Sequence, residues 1–225
     1  MLPRLILFAR APVAGRVKTR LADLLTAEGA ARLYRAFLED AARSCASSAA
    51  WESVLAVDGD PDDEELARLF PPPWRRVRQA AGDLGSRLTA AFLREFEAGA
   101  PAALAVGSDH PELRRGRLRE AFAILGRGSR AVLVPAEDGG YCAIGLRRSI
   151  SPAEVFRDIP WSSRSVLPAT LDRLSAVGAG ASVLASSYDV DLPEDLARLR
   201  RELASRDPDE ADFPRATARA LATLA

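Results

Sequence analysis

The chain has 225 residues, 48% hydrophobic and 28% charged, which is the length and composition of a globular protein with a sizeable core. Its 31 lysine and arginine residues equal its 31 aspartate and glutamate residues, so no global positive field exists to collect nucleic acid or an anionic membrane. No apolar run approaches the roughly 18–20 residues of a membrane span, and two cysteines without CxxC spacing exclude a zinc knuckle or a disulfide framework and favour the cytoplasm.

Short aliphatic runs alternate along the chain with longer segments of helical period. Strands are predicted over residues 5–9, 53–57, 74–78, 102–106, 131–134 and 182–185. Helices are predicted over residues 26–44, 62–70, 85–96, 112–125, 162–177 and 193–204, with a terminal helix within residues 213–225. Residues 132–148 interrupt the alternation with two strand-like runs around Gly139-Gly140, which indicates a strand pair. The pattern predicts a single domain over residues 1–225, with a three-layer α/β/α fold around a mostly parallel mixed sheet.

The first predicted strand leads into a basic loop, FARAPVAGRVKTRL, at residues 8–21. It contains Arg10, Arg16, Lys18 and Arg20, and Gly15 permits close backbone approach. Ligands of open α/β sheets bind beyond the carboxyl ends of the strands, and a lysine with an arginine there suits a polyphosphate. The GxxxxGK[ST] pattern of a P-loop is missing. On these residues alone, a phosphate-binding loop and a solvated basic turn are equally good interpretations.

Two further loops follow the third and fourth predicted strands. In GDLGSR, residues 82–87, Asp83 is most simply the cap of the next helix. AVGSDHP brings Asp109 to the end of the sheet, where it either binds a divalent cation that bridges phosphates or caps a helix that Pro111 starts. His110, the only histidine of the chain, is interpreted as structural, because Mg²⁺ prefers oxygen ligands.

Carboxylates recur in two later segments. PAEDGGY contains Asp138 before two glycines, which indicates either an ordinary Asp-Gly turn or an acceptor pocket that includes Tyr141. In YDVDLPEDL, Asp189 and Asp191 alternate along a predicted strand and therefore share a face, where a bound cation would offset their repulsion. A basic first loop together with later strand-end carboxylates predicts an anion site and a metal site on one rim of the sheet, which is the arrangement of phosphate–metal chemistry.

Six segments taken together resemble the DUF2064 family, also described as rSAM/selenodomain-associated transferase 1. They occur in order within residues 5–199 and read FARAPVAGRVKTRLA, GDLGSR, VGSDHPEL, PAEDGGYCAIGL, DIPWSS and DVDLPEDL. The family belongs to the nucleotide-diphospho-sugar transferase superfamily, which implies a glycosyltransferase-A-like fold. The KTRL loop and the late aspartate are also similar to those of 2-phospholactate guanylyltransferases and, more distantly, of molybdenum-cofactor nucleotidylyltransferases.

The resemblance implies a role for each matched position. Nucleotide-binding residues would be Ala11, Pro12, Gly15, Arg16, Lys18, Thr19, Arg20, Gly82, Asp83, Gly85 and Arg87. Ligands of Mg²⁺ or Mn²⁺ would be Asp109, Asp189 and Asp191. The acceptor side would be lined by Asp138, Gly139, Gly140, Tyr141 and Trp161, although a core position is the simpler interpretation of the tryptophan. Catalytic roles would fall to Lys18, Arg20, Asp109 and Asp138.

Two transfer reactions fit these residues. In nucleotidylyl transfer, a phosphorylated acceptor attacks the α-phosphate of an NTP and pyrophosphate leaves; in glycosyl transfer, an NDP-sugar passes its sugar to an acceptor hydroxyl. The cation-rich first loop favours the first reaction. A nucleotide-binding regulator without catalysis is the third hypothesis, and it is disfavoured because all three aspartates are present. The expected partners are therefore a nucleotide and a small-molecule acceptor, with either a monomer or a homodimer possible.

Overall fold

A seven-stranded mixed sheet runs through the molecule, and the computed structural model describes residues 1–224. The strands are β1 (Arg4–Arg10), β2 (Glu52–Asp58), β3 (Arg75–Arg78), β4 (Ala102–Gly107), β5 (Ala131–Pro135), β6 (Tyr141–Arg147) and β7 (Ala181–Val183). Their order across the sheet is β3-β2-β1-β4-β6-β5-β7. Strand β6 runs antiparallel to β4 and β5, and the other pairings are parallel. The predicted strand pair is thus β5 and β6.

Helices cover both faces of this sheet. They are α1 (Ala22–Ser44), α2 (Glu64–Leu69), α3 (Leu84–Glu97), α4 (Arg115–Gly126), α5 (Pro152–Val155), α6 (Val166–Ala176), α7 (Pro193–Ala204) and α8 (Arg215–Thr223). Alternate residues of β1 enter opposite layers, because side chains along a strand point to opposite faces. Leu5 and Leu7 pack with α1, α4, α7 and α8, whereas Ile6 packs with α3, α5 and α6. The predicted three-layer α/β/α architecture is confirmed.

The first helix has a break that shapes the loop before it. A 3₁₀ turn at Thr19–Leu21 precedes α1, and Thr26 inside α1 is non-helical at φ 62° and ψ 165°. The Thr26 hydroxyl accepts a hydrogen bond from the amide of Gly29 at 3.1 Å, so it caps the longer part of the helix. The prediction of a helix from residue 26 therefore matches this second part, and a short helical segment over residues 19–25 joins it to the basic loop.

Two local predictions about the strand ends are wrong. Asp189 and Asp191 do not alternate on a strand: β7 ends at Val183, and one isolated bridge joins Ser187 to Ala136. Pro111 does not start a helix, since α4 begins at Arg115, so Asp109 is not a helix cap. Both segments are irregular loops, and the amide of Val190 donates to the carbonyl of Asp109 at 3.2 Å, which joins them directly.

Within residues 1–224, no helix combines the length and the apolar character that crossing a membrane requires.

Candidate nucleotide and metal site

The basic loop turns inward at Lys18. This residue has left-handed backbone angles, φ 47° and ψ 39°, and its side chain is 2% exposed. Its ammonium forms ion pairs with Asp109 and, at 2.8 Å, with Oδ1 of Asp191, and it lies 5.6 Å from the ring centroid of Phe37. The lysine therefore joins the loops that follow β1, β4 and β7 into one cluster.

The charges of this cluster depend on one another. Burial lowers the pKa of Lys18, but the attraction of Asp109 and Asp191 outweighs it and the pKa is raised overall. Partial burial raises the pKa of Asp109, but the ammonium of Lys18 lowers it by more, so the pKa of this carboxyl is depressed overall. Both groups are thus held in their charged forms near neutral pH.

A cavity of about 290 Å³ opens above this cluster. It is lined by Arg10, Arg16, Val17, Lys18, Thr19, Arg20, Tyr34, Asp109 and Asp191. Arg16 and Arg20 are exposed, and among residues 1–224 neither forms an ion pair, so their guanidinium groups are available to an anion. The four predicted cations of the first loop therefore divide into one buried lysine that pairs with Asp109 and Asp191, one arginine that pairs with Asp58, and two arginines without an ion pair in this part of the chain.

Arg10 connects this cavity to the loop after β3. Its guanidinium lies 3.0 Å from Oδ2 of Asp58, and the guanidinium of Arg87 lies 3.2 Å from the same oxygen. Arg87 also donates to the carbonyl of Gly82 at 3.0 Å. Asp58 thus links the basic first loop to the GDLGSR segment, and the sequence analysis did not include this carboxylate.

Asp83 caps α3. Its Oδ1 accepts hydrogen bonds from the amide and the hydroxyl of Ser86, at 2.8 and 2.7 Å. These bonds lower the pKa of the Asp83 carboxyl. The first turn of this helix also contacts Trp161, because a Cβ built on Gly85 would lie 2.8 Å from the indole nitrogen. The GDLGSR and DIPWSS segments are therefore neighbours, and Trp161 is partly exposed rather than a fully buried core residue.

The DGGY turn is shaped by its backbone. Oδ1 of Asp138 accepts from the amide of Gly140 at 2.8 Å, and the exposed carboxylate has no cation partner among residues 1–224. Gly139 has φ +95°, and a Cβ there would lie 2.5 Å from the carbonyl oxygen of Arg164. Tyr141 meets Trp161 edge to face, with ring centroids 6.5 Å apart. The five predicted acceptor residues lie in two segments that pack together.

Asp189 occupies a different environment from Asp191. Its Oδ1 lies 3.0 Å from Nδ1 of His110, which makes its hydrogen-bonding contact at 3.2 Å with the carbonyl of Tyr188. Burial raises the pKa of Asp189, and the negative charges of neighbouring aspartates raise it further. Burial lowers the pKa of His110, but Cys142, Asp189 and Asp109 raise it to about 9. The three aspartates predicted as metal ligands therefore divide: Asp109 and Asp191 pair with Lys18, whereas Asp189 lies against His110.

Asp109 and Asp191 have the chemistry of a divalent-cation site. Their side chains are 42% and 44% exposed, and a single ammonium bridges one oxygen of each. Two carboxylates against one ammonium leave negative charge at the cavity, and oxygen donors suit Mg²⁺ or Mn²⁺. These two residues fit such an ion, whereas Asp189 faces the histidine.

Sequence reasoning missed Tyr34 as a cavity residue. Its hydroxyl lies 2.8 Å from Oγ of Ser108 and accepts from the amide of Arg10 at 3.4 Å. Burial raises the pKa of Tyr34, so the phenol stays neutral. Tyr34 is one position of the apolar stripe of α1, and nothing in that pattern distinguishes it from a core aromatic residue.

The comparison with protein-family models gives one match. Residues 41–163 match the family described as uncharacterized proteins conserved in bacteria, DUF2064. This range covers more than half of the chain and contains Asp109, Asp138 and Trp161. The chain belongs to the DUF2064 family. Lys18 and Asp191 lie outside the matched range, so the family match covers one of the two carboxylates on the lysine.

Relatives of this DUF2064 protein are transferases. A phosphoenolpyruvate guanylyltransferase from Nocardia farcinica (strain IFM 10152) is 31% identical over 202 residues, which cover 78% of this chain and 87% of the relative. A solved structure from Desulfovibrio desulfuricans G20, provisionally named a nucleotide-diphospho-sugar transferase, is 29% identical with a TM-score of 0.88, over 100% of this chain and 97% of that one. The DUF2064 protein is therefore a transferase of the superfamily that contains nucleotidyltransferases and nucleotide-diphospho-sugar transferases.

More distant structures share the fold. A 4-diphosphocytidyl-2C-methyl-D-erythritol synthase from Anaerococcus prevotii DSM 20548 is 11% identical with a TM-score of 0.60, over 90% of this chain and 96% of that one. At that identity the likeness concerns the architecture alone. The glycosyltransferase-A-like fold implied by the sequence resemblance is confirmed at this level.

Proposed function

We propose that this protein transfers a nucleotidyl group from an NTP to a small phosphorylated acceptor and releases pyrophosphate. The observation that supports this most is the cavity over Lys18, where two carboxylates share one ammonium and two free arginines stand on the rim. A triphosphate with its divalent cation matches that distribution of charge, because the ion meets the carboxylates and the phosphates meet the arginines.

Asp109 and Asp191 would hold Mg²⁺ or Mn²⁺. Such an ion, when bound, neutralises phosphate charge and stabilises the oxygens that attack and leave. Lys18 pairs with both carboxylates and brings them close together, so its first role is to position them. Arg16 and Arg20 would bind the β- and γ-phosphates and stabilise the charge of the departing pyrophosphate.

The acceptor would lie between the DGGY turn and Trp161. A phosphorylated acceptor brings an oxygen that is already ionised, so its attack needs no general base. Asp138 would then orient the acceptor through its exposed carboxylate. In the alternative reaction the nucleophile is a sugar-acceptor hydroxyl, which needs a base, and Asp138 is the exposed carboxylate placed for that role.

The relatives support both reactions unequally. The Nocardia relative is named for guanylyl transfer to phosphoenolpyruvate, so GTP and phosphoenolpyruvate are the first substrates to test. The Desulfovibrio relative is provisionally named for sugar transfer, which keeps the NDP-sugar reaction as the second candidate. The free arginines favour the NTP, since a triphosphate has one more phosphate to bind than an NDP-sugar.

The decisive assay compares two products. Purified protein with Mg²⁺ receives each NTP with phosphoenolpyruvate and other phosphorylated acids, and in parallel each NDP-sugar with hydroxyl acceptors. Pyrophosphate release that depends on the acceptor supports the proposal, and release of NDP without pyrophosphate overturns it. Asp138→Asn sharpens the result, because we expect a small effect on nucleotidylyl transfer and a loss of about 10²-fold or more if this residue is a general base.

Calorimetry with the nucleotide alone tests the first loop. We expect Arg20→Ala to weaken NTP binding by about tenfold, which is the loss of one charge-assisted contact. Lys18→Ala should weaken it as well, since the carboxylates lose the ammonium that holds them together. If NTP affinity is unchanged in both variants, the first loop is a solvated basic turn and not a phosphate-binding loop.

A further inference from the structure

Three potential metal ligands converge beneath the nucleotide cavity. His110 lies in the loop after β4, Cys142 is the second residue of β6, and Asp189 lies in the loop after β7. One ligand atom from each of these residues lies within 4.8 Å of the other two. The side chains come from three separate parts of the sheet, so local sequence spacing does not display the cluster.

The cluster is buried and incompletely bonded. The side chain of His110 is 5% exposed, and Cys142 is 2% exposed. Oδ1 of Asp189 is buried, and within residues 1–224 no donor reaches it with hydrogen-bond geometry, although Nδ1 of His110 is 3.0 Å away. The charge of the protonated His110 offsets the burial of this oxygen but leaves it without a hydrogen bond, and a metal ion held by both groups would take the place of the imidazole proton.

The donor set identifies the kind of ion. An imidazole nitrogen, a thiol sulfur and a carboxylate oxygen are the ligands of Zn²⁺ and of its substitute Co²⁺, whereas Mg²⁺ prefers oxygen alone. Zinc–ligand distances are about 2.0–2.3 Å. Ligand atoms already within 4.8 Å of one another therefore need only a small inward adjustment to surround one ion.

We propose that His110, Cys142 and Asp189 form a binding site for a zinc-class divalent cation, distinct from the Mg²⁺ site proposed at Asp109 and Asp191. Binding releases two protons to solvent, one from the thiol of Cys142 and one from the imidazolium of His110, so the sulfur coordinates as a thiolate and the ring as a neutral imidazole. The bound ion ties β6 to the segment that carries Asp191, two residues beyond Asp189. It thereby fixes the loop on which the nucleotide site depends, without itself contacting the nucleotide.

Cobalt spectroscopy on the full chain tests this site without any turnover assay. The metal-free protein is titrated with Co²⁺ in excess Mg²⁺, so that Mg²⁺ competes at the oxygen site. We expect one equivalent of Co²⁺ to produce a thiolate-to-cobalt charge-transfer band and Zn²⁺ to abolish that band by displacement. Folding of every variant is checked by circular dichroism.

Matched variants assign the band to its ligands. Cys142→Ser should lose the band, whereas Cys45→Ser should keep it, because Cys45 is equally buried at 2% exposure but lies outside the cluster. Asp109→Asn should also keep the band, which separates this site from the proposed Mg²⁺ site. If Cys142→Ser does not fold, His110→Gln replaces it and should weaken Co²⁺ binding at least tenfold.

Two results would overturn the site. The first is wild-type protein that stays folded and shows no thiolate–cobalt band at millimolar Co²⁺, which would leave the three side chains as a metal-free contact. The second is a band that survives in Cys142→Ser. Neither result bears on nucleotidylyl transfer, whose own assay measures pyrophosphate.

Discussion

Two clusters in this molecule place a buried cation between two carboxylates, yet they differ in what surrounds them. In the first, the ammonium of Lys18, 2% exposed, joins Asp109 and Asp191. In the second, the guanidinium of Arg206, 9% exposed, lies 3.0 Å from Glu112 and 2.7 Å from Glu210. We call them the Lys18 cluster and the Arg206 cluster.

Charge balance separates the two clusters. Arg114 lies 3.0 Å from Glu112 and 3.7 Å from Glu210, so the Arg206 cluster has two cations for two carboxylates. The Lys18 cluster has one cation for two carboxylates, with free arginines across the cavity. Cavity volume does not make this distinction, since Glu112 and Arg114 line a larger cavity of about 450 Å³. Unbalanced charge, rather than space, is therefore what distinguishes the proposed nucleotide and metal site from the Arg206 cluster.

The largest expected effect is at Asp109. Asp109→Asn removes half of the carboxylate pair, and we expect kcat/KM to fall by about 10²–10³-fold, which is about 3–4 kcal/mol of transition-state stabilisation. The melting temperature should change little, because this side chain is 42% exposed. Steady-state kinetics and thermal unfolding measure the two quantities. A variant that loses stability but keeps its activity would make the Lys18 cluster structural, like its counterpart.

The Arg206 cluster should respond in the opposite way. Arg206→Met leaves the nearly buried Glu112 with Arg114 alone, so we expect the free energy of unfolding to fall by about 2–3 kcal/mol with kcat unchanged. Urea titration measures the loss. Arg219→Met is the control: that arginine is 70% exposed in its pair with Glu39, and its removal should cost under about 1 kcal/mol. A reduced kcat in folded Arg206→Met would show that the Arg206 cluster also serves activity, and would refute the assignment of a purely structural role to it.

A third region has its shape set by backbone contact instead of charge. The backbone of Gly139 has φ +95°, and in Gly139→Ala the new methyl group would clash with the carbonyl of Arg164. We expect the free energy of unfolding to fall by about 1–3 kcal/mol. The KM for the acceptor should rise while that for the nucleotide stays constant.

Gly128→Ala is the matched control for this prediction. Gly128 has φ +110°, but a Cβ there would have no neighbour within 4 Å, so this variant isolates the cost of the backbone angle. Equal losses of stability in the two variants would show that contact with Arg164 does not matter. An unchanged acceptor KM in Gly139→Ala would remove the DGGY turn from the acceptor site.

The sequence predicts the sheet well because apolar runs report burial directly. The six predicted strands begin and end within two residues of β1 to β5 and β7, and β6 falls within the strand pair predicted for residues 132–148. Helix α7 matches its predicted range of residues 193–204. The irregular segments are harder to predict from the sequence. Asp189 and Asp191 alternate in sequence as strand residues do, but the sheet has ended before them and the buried Val190 fixes their loop instead.

The candidate site was predicted as a set of residues but not as a set of contacts. Lys18 and Asp191 are 173 positions apart, and no local pattern reports that the lysine is committed to carboxylates instead of phosphate. The left-handed backbone that turns Lys18 inward is equally invisible, because lysine has no preference for it. Similarly, His110, Cys142 and Asp189 have no spacing motif, so the sequence alone gave no reason to group them.

The smallest expected effect concerns Asp83, a carboxylate that forms no ion pair with any of residues 1–224. Asp83 accepts hydrogen bonds from Ser86, which lower its pKa, so its ionised form stabilises the folded protein above the unfolded-state pKa of about 3.9. That contribution is lost as the pH falls through the lower folded-state pKa. Asp83→Asn keeps a capping side chain but cannot titrate. Urea titrations at pH 6 and pH 3 should therefore show a small advantage of the wild type that disappears in acid.

The same variant decides whether Asp83 also serves the nucleotide. A residue that only caps α3 should leave NTP affinity within about twofold, since its carboxylate already accepts hydrogen bonds from the amide and the hydroxyl of Ser86. Calorimetry measures this at pH 7, where Arg87→Ala provides the comparison, because Arg87 shares Asp58 with Arg10 of the cavity. A tenfold loss in Asp83→Asn would place this carboxylate in contact with the nucleotide. In that case a residue outside the unbalanced Lys18 cluster would also bind the nucleotide, so unbalanced charge would mark only part of the ligand site.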